Sequence, residues 1–285
     1  MLFDTHCHLN FKAFENRVEE VIGAAHEAGV DYMTVVGTDE ETSKKAVEIA
    51  EKYEGIYAAV GVHPHHVFTD QKSKIKNQND KSKLKNIEDL LTSEKVVAIG
   101  EVGIDKHEYK NTKYQDYKVD ENFIEAQEKL FSKQIKLALQ YSKSLIIHNR
   151  RSRENILKIL NSVWTKEMEY KTVFHCCEPD KKFFQFAKDH KIFIGVDGDI
   201  TYYKEKQTFV KGVPLDLLVL ETDAPLLVPE PFRSQNKLEN KNLLNEPKNI
   251  KLIANFIAQL VGETEEKIAE VTTSNAKTLF GISED

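Results

Sequence analysis

The sequence predicts a closed (β/α)8 TIM barrel on two observations. Short β-branched runs alternate with longer helical periodicities from one end of the chain to the other, and eight such runs fit within 285 residues. Strands separated by helices need crossovers and therefore pair in parallel, so eight of them in a chain this long favour a barrel over the nearest competitor, an open doubly wound sheet. No internal repeat or linker divides the chain, and one domain over residues 1–285 is expected.

The elements follow in order. A first strand is predicted from Leu2 to His8, carrying Asp4-Thr5-His6-Cys7-His8 directly after an apolar lead. Side chains two apart on a strand share a face, so His6 and His8 could grip one cation; a pair of merely polar strand residues is the alternative. Further strands are predicted at Tyr32 to Gly37, Ile56 to Val62, Val96 to Val102, Ser144 to His148, Thr172 to Cys176, Ile192 to Val196 and Leu217 to Thr222. Helical periodicity covers Glu15 to Ala28, Glu40 to Tyr53, Ile87 to Ser93, Asn122 to Tyr141, Arg153 to Val163 and Lys181 to His190, with core-covering helices from Asn249 onward. Asn275 in that last region is expected to cap or pack.

Two stretches break the rhythm. Asp70 to Lys85 is rich in Lys, Asn, Gln and Ser and has no aromatic residue, which reads as a solvated insertion. Lys106 to Asp120 interleaves Tyr109, Tyr114 and Tyr117 with Lys106, Lys110, Lys113 and Lys118, a pattern able to stack bases and hold phosphates. Both follow the C-terminal end of a strand, the side on which barrel enzymes build their sites.

Composition narrows the class. With 40% apolar and 30% charged residues the chain is globular and large enough for a sizeable core. No apolar run is long enough to span a bilayer and no basic-then-apolar leader opens the chain, so a cytoplasmic location without membrane association is expected. Three cysteines, two of them adjacent, do not make a disulfide framework. A net charge of -6 argues against a surface coated for non-specific duplex binding, while leaving room for a local basic strip around a nucleic-acid end.

Ligand-type residues recur where predicted strands end. Gly61-Val62-His63-Pro64-His65 closes the third strand, Gly100-Glu101-Val102-Gly103-Ile104-Asp105 the fourth, His148 the fifth, His175 the sixth and Glu221-Thr222-Asp223 the eighth. One polar strand end is ordinary, but the joint occurrence is not. In a barrel these ends meet on one rim, which gathers His6, His8, Glu101, His148, His175 and Asp223 around a single pocket. Six donors exceed the three protein ligands usual for one catalytic zinc, so two divalent cations are expected, with the two oxygens of Glu101 as the bridge.

These motifs, together with His148-Asn149-Arg150, Phe174-His175-Cys176, Glu221 to Pro225, Asn245-Glu246-Pro247 and Ser274 to Phe280, resemble the TatD family of metal-dependent hydrolases over essentially the whole chain. The resemblance implies a barrel of the amidohydrolase type with a two-metal centre and nuclease activity on DNA, often 3′→5′ exonucleolytic. It implies that His6 and His8 hold the first metal, His148 and His175 the second, that Glu101 bridges them, and that Asp223 sits on the first metal beside the attacking water. His63 and His65 match the family's G-x-H-P-H and are expected to contact the substrate phosphate or leaving group. Arg150 matches its H-x-R and would clamp phosphate, a surface salt bridge being the alternative. Asp105 would orient a ligand or loop. His66 lies outside the pattern and is expected to be exposed.

The departures fall on substrate recognition. Cys176-Cys177-Glu178-Pro179 stands where the family commonly has C-F-S-G, and Pro229 to Asn245 lacks the compact Arg-rich form, with Arg233 as the available substitute. Cys177 is expected to pack rather than ligate. The function expected is a metal-dependent deoxyribonuclease with catalytic residues Asp223 and Glu101, acting on single-stranded DNA or 3′ ends through water activated between two Mg2+, Mn2+ or Zn2+ ions. His-rich ligation suits zinc and carboxylates with phosphate suit magnesium. The same centre could instead hydrolyse a carbonyl ester or amide, such as an aminoacyl-tRNA ester. A non-catalytic barrel binding through its Lys-rich insertions is disfavoured, because every expected ligand is present. The pattern shows no obligate protein partner.

Overall fold

The computed structural model of the protein describes residues 1–68, 78–110, 112, 114, 117–239 and 243–283, the side chains of residues 78–83 excepted. Eight strands, β1 (Leu2–Cys7), β2 (Val30–Val36), β3 (Ile56–Val60), β4 (Val96–Asp105), β5 (Ser144–Arg150), β6 (Thr172–Phe174), β7 (Phe193–Val196) and β8 (Leu218–Leu220), form one sheet in sequence order. Every neighbouring pair is parallel. A parallel bridge between Cys7 and Ala224, and the bond from Asp223 N–H to the His6 carbonyl (2.8 Å), bring the last strand back to the first. A doubly wound sheet would reverse its strand order at a switch point, so this is the (β/α)8 TIM barrel.

The crossovers are α1 (Val18–Glu27), α2 (Glu40–Lys52), α3 (Gln78–Leu90), α4 (Glu121–Gln140), α5 (Arg153–Val163), α6 (Lys181–His190) and α7 (Lys204–Val210), followed by α8 (Phe232–Glu239), α9 (Ile250–Val261) and α10 (Glu265–Phe280). Starts are written locally: Asp39, Asp120, Asp180 and Thr264 each accept a first-turn amide through the side chain. Gly262 and Gly281, at positive φ, end α9 and α10.

Three expectations need correction. The helix expected at Ile87 to Ser93 is α3, which begins at Gln78 and ends at Leu90, so the C-terminal part of the Asp70 to Lys85 stretch is helical; residues 70–77 lie outside the described residues. Leu84, Ile87, Leu90 and Leu91 pack inward, and the polar residues 78–83 before them carry no apolar period to read. Helices α7 and α8 were not expected: α7 has seven residues and α8 buries none of its side chains. His66 is not exposed. Its Nδ1 lies 2.5 Å from the Tyr114 hydroxyl and its side chain is 18% accessible.

The strand pattern also explains where the polar residues land. Phe3, Val36, Ala59, Ala98, Ile146, Val173, Phe193 and Val219 belong to one apolar cluster with Leu279 and Phe280 of α10. A cluster with one member from every strand is the barrel interior. Two residues further along the same faces stand His148, His175 and Glu221. Strands β1 and β4 change phase, with register shifts between Asp4 and Cys7 and between Ile99 and Val102. These shifts bring in His6 and Glu101, which lie at odd offsets from Phe3 and Ala98. Among the described residues no helix is long and apolar enough to cross a membrane.

Candidate metal centre and cavity

All six residues predicted as ligands meet at the C-terminal mouth of the barrel, where His8, Glu101, His148, His175 and Asp223 line a cavity of about 860 Å³ and His6 is buried against Glu101 and Asp223. His6 and His8 bring their Nε2 atoms within 3.2 Å of one another, and Asp223 Oδ1 lies 3.2 Å from His8 Nε2 and 3.7 Å from His6 Nε2. Glu101 faces two ways. Its Oε2 is 3.7 Å from His6 Nε2, while Oε1 lies 2.5 Å from His148 Nδ1, 3.6 Å from His175 Nε2 and 3.8 Å from His63 Nε2.

The imidazoles are oriented from behind. His8 Nδ1 is 2.8 Å from the Val36 carbonyl, which can only accept, so the proton sits on Nδ1 and the Nε2 lone pair faces the centre. His175 Nδ1 lies 3.1 Å from Glu221 Oε1, which likewise turns Nε2 inward. His6 Nδ1 is buried without a hydrogen-bond partner. The Nε2 atoms of His6 and His8, with Asp223 Oδ1 and Glu101 Oε2 beside them, crowd four nitrogen and oxygen donors into one buried space while His6 Nδ1 goes unpartnered. The donor set therefore fits a divalent metal, and His6, His8 and Glu101 form one group able to hold an ion.

Electrostatics agree. Burial, reinforced by the charge of His175, keeps His6 well below its ordinary pKa, so it is neutral and available as a ligand. Against their burial, Glu101 with Asp105 raises His148 to about 9, and Glu221 with Glu101 raises His175 to about 10. Burial would raise Glu101, but His148, His63 and His175 hold it well below the carboxylate range. In the ion-free protein the two imidazolium charges thus offset part of the carboxylate charge around them.

His63 differs in kind. Its Nδ1 accepts the His65 amide (3.0 Å), which leaves the ring proton on Nε2, facing the cavity. Burial, with the neighbouring charge of His148, lowers its pKa to about 3, so it is a fixed neutral donor. A second possible ion-holding group, His63 with Asp105 and His148, departs from the expected pairing of His148 with His175. Asp105 is placed for the orienting role: Oδ2 is 3.2 Å from His148 Nε2 and Oδ1 accepts the His107 amide (2.7 Å).

The predicted substrate contacts separate. Arg150 lines the cavity, and its Nη1 donates to the Tyr109 hydroxyl (3.1 Å) rather than to a carboxylate. His65 also lines the cavity, but its ring packs among Tyr109, Tyr114 and Tyr117, and its Nε2 lies 3.0 Å from Thr112 Oγ1. Of the three tyrosines, Tyr109 lines the cavity, while Tyr114 and Tyr117, half-buried, pack on Phe68. Lys113 lies outside the described residues. Cys177 is buried in the core, as expected, and Asn275 binds the carbonyls of Leu215 and Leu218 (both 2.8 Å).

Two buried acids carry roles that the motif reading left unassigned. Asp4 accepts the Thr222 amide (2.9 Å) and hydroxyl (2.5 Å), tying β1 to the segment that carries Asp223. Glu221 backs His175 and also accepts the Cys176 amide (2.5 Å); a Cβ on Gly195 would come 2.5 Å from its Oε2, so glycine there leaves the carboxylate its room. Both stand two positions before a predicted ligand, and that spacing was the available signal. A further cluster had none: Lys206 of α7, 1% exposed, lies 3.1 Å from Asp197, 2.6 Å from Asp199 and 3.8 Å from Cys176 Sγ.

Fold and donor set together are those of a metal-dependent barrel hydrolase. Residues 3–281 match the family described as TatD related DNase, and the chain belongs to the TatD family of metal-dependent hydrolases. It is 35% identical over 285 residues to the Bacillus subtilis protein named uncharacterized metal-dependent hydrolase YabD, covering 99% of this chain and 100% of that one. It is 28% identical to the Escherichia coli protein named 3′-5′ ssDNA/RNA exonuclease TatD, covering 99% and 100%. Among solved structures, the TatD homologue YjjV from Escherichia coli superposes with a TM-score of 0.81 at 27% identity, covering 99% of this chain and 98% of that one.

Proposed function

We propose that this protein is a divalent-metal-dependent deoxyribonuclease of the 3′→5′ exonuclease type, acting on single-stranded DNA or free 3′ ends. One observation carries the reading: a metal-type donor set shares its cavity with two groups suited to phosphate, the Nε2–H of neutral His63 and the guanidinium of Arg150. The name of the Escherichia coli exonuclease relative supports it.

In this reading His6, His8 and Asp223 would hold one ion and His148 and His175 a second, and Glu101, whose two oxygens face His6 and His148, would contribute to both. Mg2+, Mn2+ or Zn2+ bound there would act as a Lewis acid and lower the pKa of a bound water. The chain's own residues do the rest. Asp223, whose Oδ1 is held near His8 and His6, accepts the proton of the attacking water. His63 donates to a non-bridging phosphate oxygen or to the leaving oxygen, and it does so without titrating near neutrality. Arg150 pairs with the phosphate in its fork geometry. His65 stabilises the loop that carries Tyr109 rather than touching substrate.

The test is digestion of an end-labelled single-stranded oligonucleotide by metal-stripped protein, with Mg2+, Mn2+ or Zn2+ restored and His6→Ala as control. Stepwise shortening from the 3′ end that needs metal and is lost in the variant is the expected result. A protein that binds metal yet cleaves no oligonucleotide would sink the reading. One observation favours a second reading, hydrolysis of a carbonyl ester such as an aminoacyl ester: Glu178, held by Asn149 Nδ2 (3.0 Å), puts a carboxylate at the cavity mouth where a polyanion would pass.

A further inference from the structure

We propose that Tyr109 is a positioning residue that fixes the guanidinium of Arg150 relative to the metal centre, and so sets where a substrate phosphate is held. The inference rests on the phosphate-ester reading above. Tyr109 lies outside every recognised motif, in the irregular segment after β4.

The hydrogen bonds around its hydroxyl have a forced direction. Arginine has donors only, so Arg150 Nη1 donates to Tyr109 Oη (3.1 Å), and the phenolic proton goes to Asp105 Oδ2 (2.6 Å). Only a group that both donates and accepts can make this link. Asp105 is a fixed post: it is buried, its amide and carbonyl are both bound by the Gln127 side chain (2.7 and 3.0 Å), and its carboxylate also meets His107 N and His148 Nε2.

The ring is fixed too. His65 and His107 meet it edge-on, with centroids 4.8 and 4.7 Å away, and the Arg150 guanidinium lies 5.4 Å from its centroid. A chain of contacts therefore runs from Arg150 through Tyr109, Asp105 and His148 to Glu101. Arg150 and His148 stand two apart on β5, so the β5 backbone and the Tyr109 link hold the same arginine from two sides. Without the hydroxyl the long arginine side chain regains its rotamers, and each must be lost again when phosphate binds.

Tyr109→Phe keeps the ring and removes the link. In the metal-loaded protein it is expected to raise KM for a single-stranded oligonucleotide by about tenfold with little change in kcat, with the thermal midpoint lowered by no more than a few degrees for the lost bond to Asp105. In an Arg150→Ala background the same substitution is expected to change KM by less than about twofold, because the residue through which it acts is gone. Orthophosphate affinity of the metal-loaded protein, read by calorimetry, gives the same cycle without turnover. A tenfold loss that vanishes in the Arg150→Ala background supports the inference even if no oligonucleotide is cut, an outcome that would end the nuclease reading alone. Unchanged phosphate affinity in Tyr109→Phe, or a full additional loss on top of Arg150→Ala, overturns it.

Discussion

Lys206 Nζ stands 3.1 Å from Asp197 Oδ2, and both side chains are out of water, at 1% and 0% exposure. Asp199 and Cys176 close the group, so the ammonium occupies the centre of a set of ligand atoms that could otherwise take a metal ion. Against its burial, the lysine charge holds Asp197 below the ordinary carboxylate range, while burial and the charge of Asp197 push Asp199 up. Removing the cation strands a buried carboxylate. Lys206→Met is expected to cost about 3–5 kcal/mol of stability at neutral pH.

In the wild type the depressed Asp197 contributes stability that is present above its unfolded pKa. In the variant its folded pKa is raised, so stability is retained at low pH and lost as pH rises through the raised value. The penalty in urea melts should therefore grow between pH 4 and pH 8, and Asp197→Asn in the same chain should recover part of it. A penalty that shrinks as pH rises would refute the buried-pair account.

Metal binding should release protons. His148, raised to about 9, and His175, raised to about 10, are protonated at neutral pH while no ion is bound, and both must give up a proton to ligate. Calorimetric titration with Mn2+ or Zn2+ at pH 7, in buffers of different ionisation enthalpy, is expected to show release of about one to two protons per chain. Apparent affinity should rise from pH 6 to pH 8, because protons compete with the ion. Affinity that is flat across this range would mean that neither imidazole is a ligand.

Glu221 should act on the metal through His175. Glu221→Gln keeps the shape but replaces a charged acceptor behind the imidazole with a neutral amide, and metal affinity is expected to fall about 10–100-fold. Since Glu221 also receives the Cys176 amide, thermal stability is the control. Lost stability with unchanged metal affinity would make Glu221 a structural clamp only.

How much of this could be read from residues alone depended on range. The strands were legible because each is a short β-branched run, and the convergence of ligand-type residues because His148, His175 and Asp223 stand just where such runs end. His6 and Glu101 were legible as ligand-type residues but not in their register, since the shifts that turn them inward depend on pairing with β2 and β5. Lys206 looked like any surface lysine in Lys204-Glu205-Lys206; its burial is decided by Asp197 and Asp199, from the turn after β7. His66 was misjudged for the same reason, its partner Tyr114 being 48 residues away. Asp4 and Glu221 were local enough to find, two positions before His6 and Asp223, but an acid inside a motif is easily read as part of the motif's polarity.

Glu178 decides between the two substrate classes. Its carboxylate is exposed, lines the cavity mouth and is oriented by Asn149, one residue from Arg150 in sequence. A nucleic-acid strand reaching the centre brings successive phosphates within a Debye length of it, and the repulsion is screened by salt. If the substrate is a polyanion, Glu178→Ser should raise kcat/KM on a single-stranded oligonucleotide by roughly 3–10-fold at low salt, the gain fading toward 0.5 M NaCl. Bis-p-nitrophenyl phosphate, with a single charge, should respond far less. If the substrate is instead an ester bearing an ammonium group, the same carboxylate attracts it, and Glu178→Ser should lower kcat/KM on aminoacyl esters. The opposite signs make one variant, assayed on both substrates across a salt series, sufficient to reject one reading.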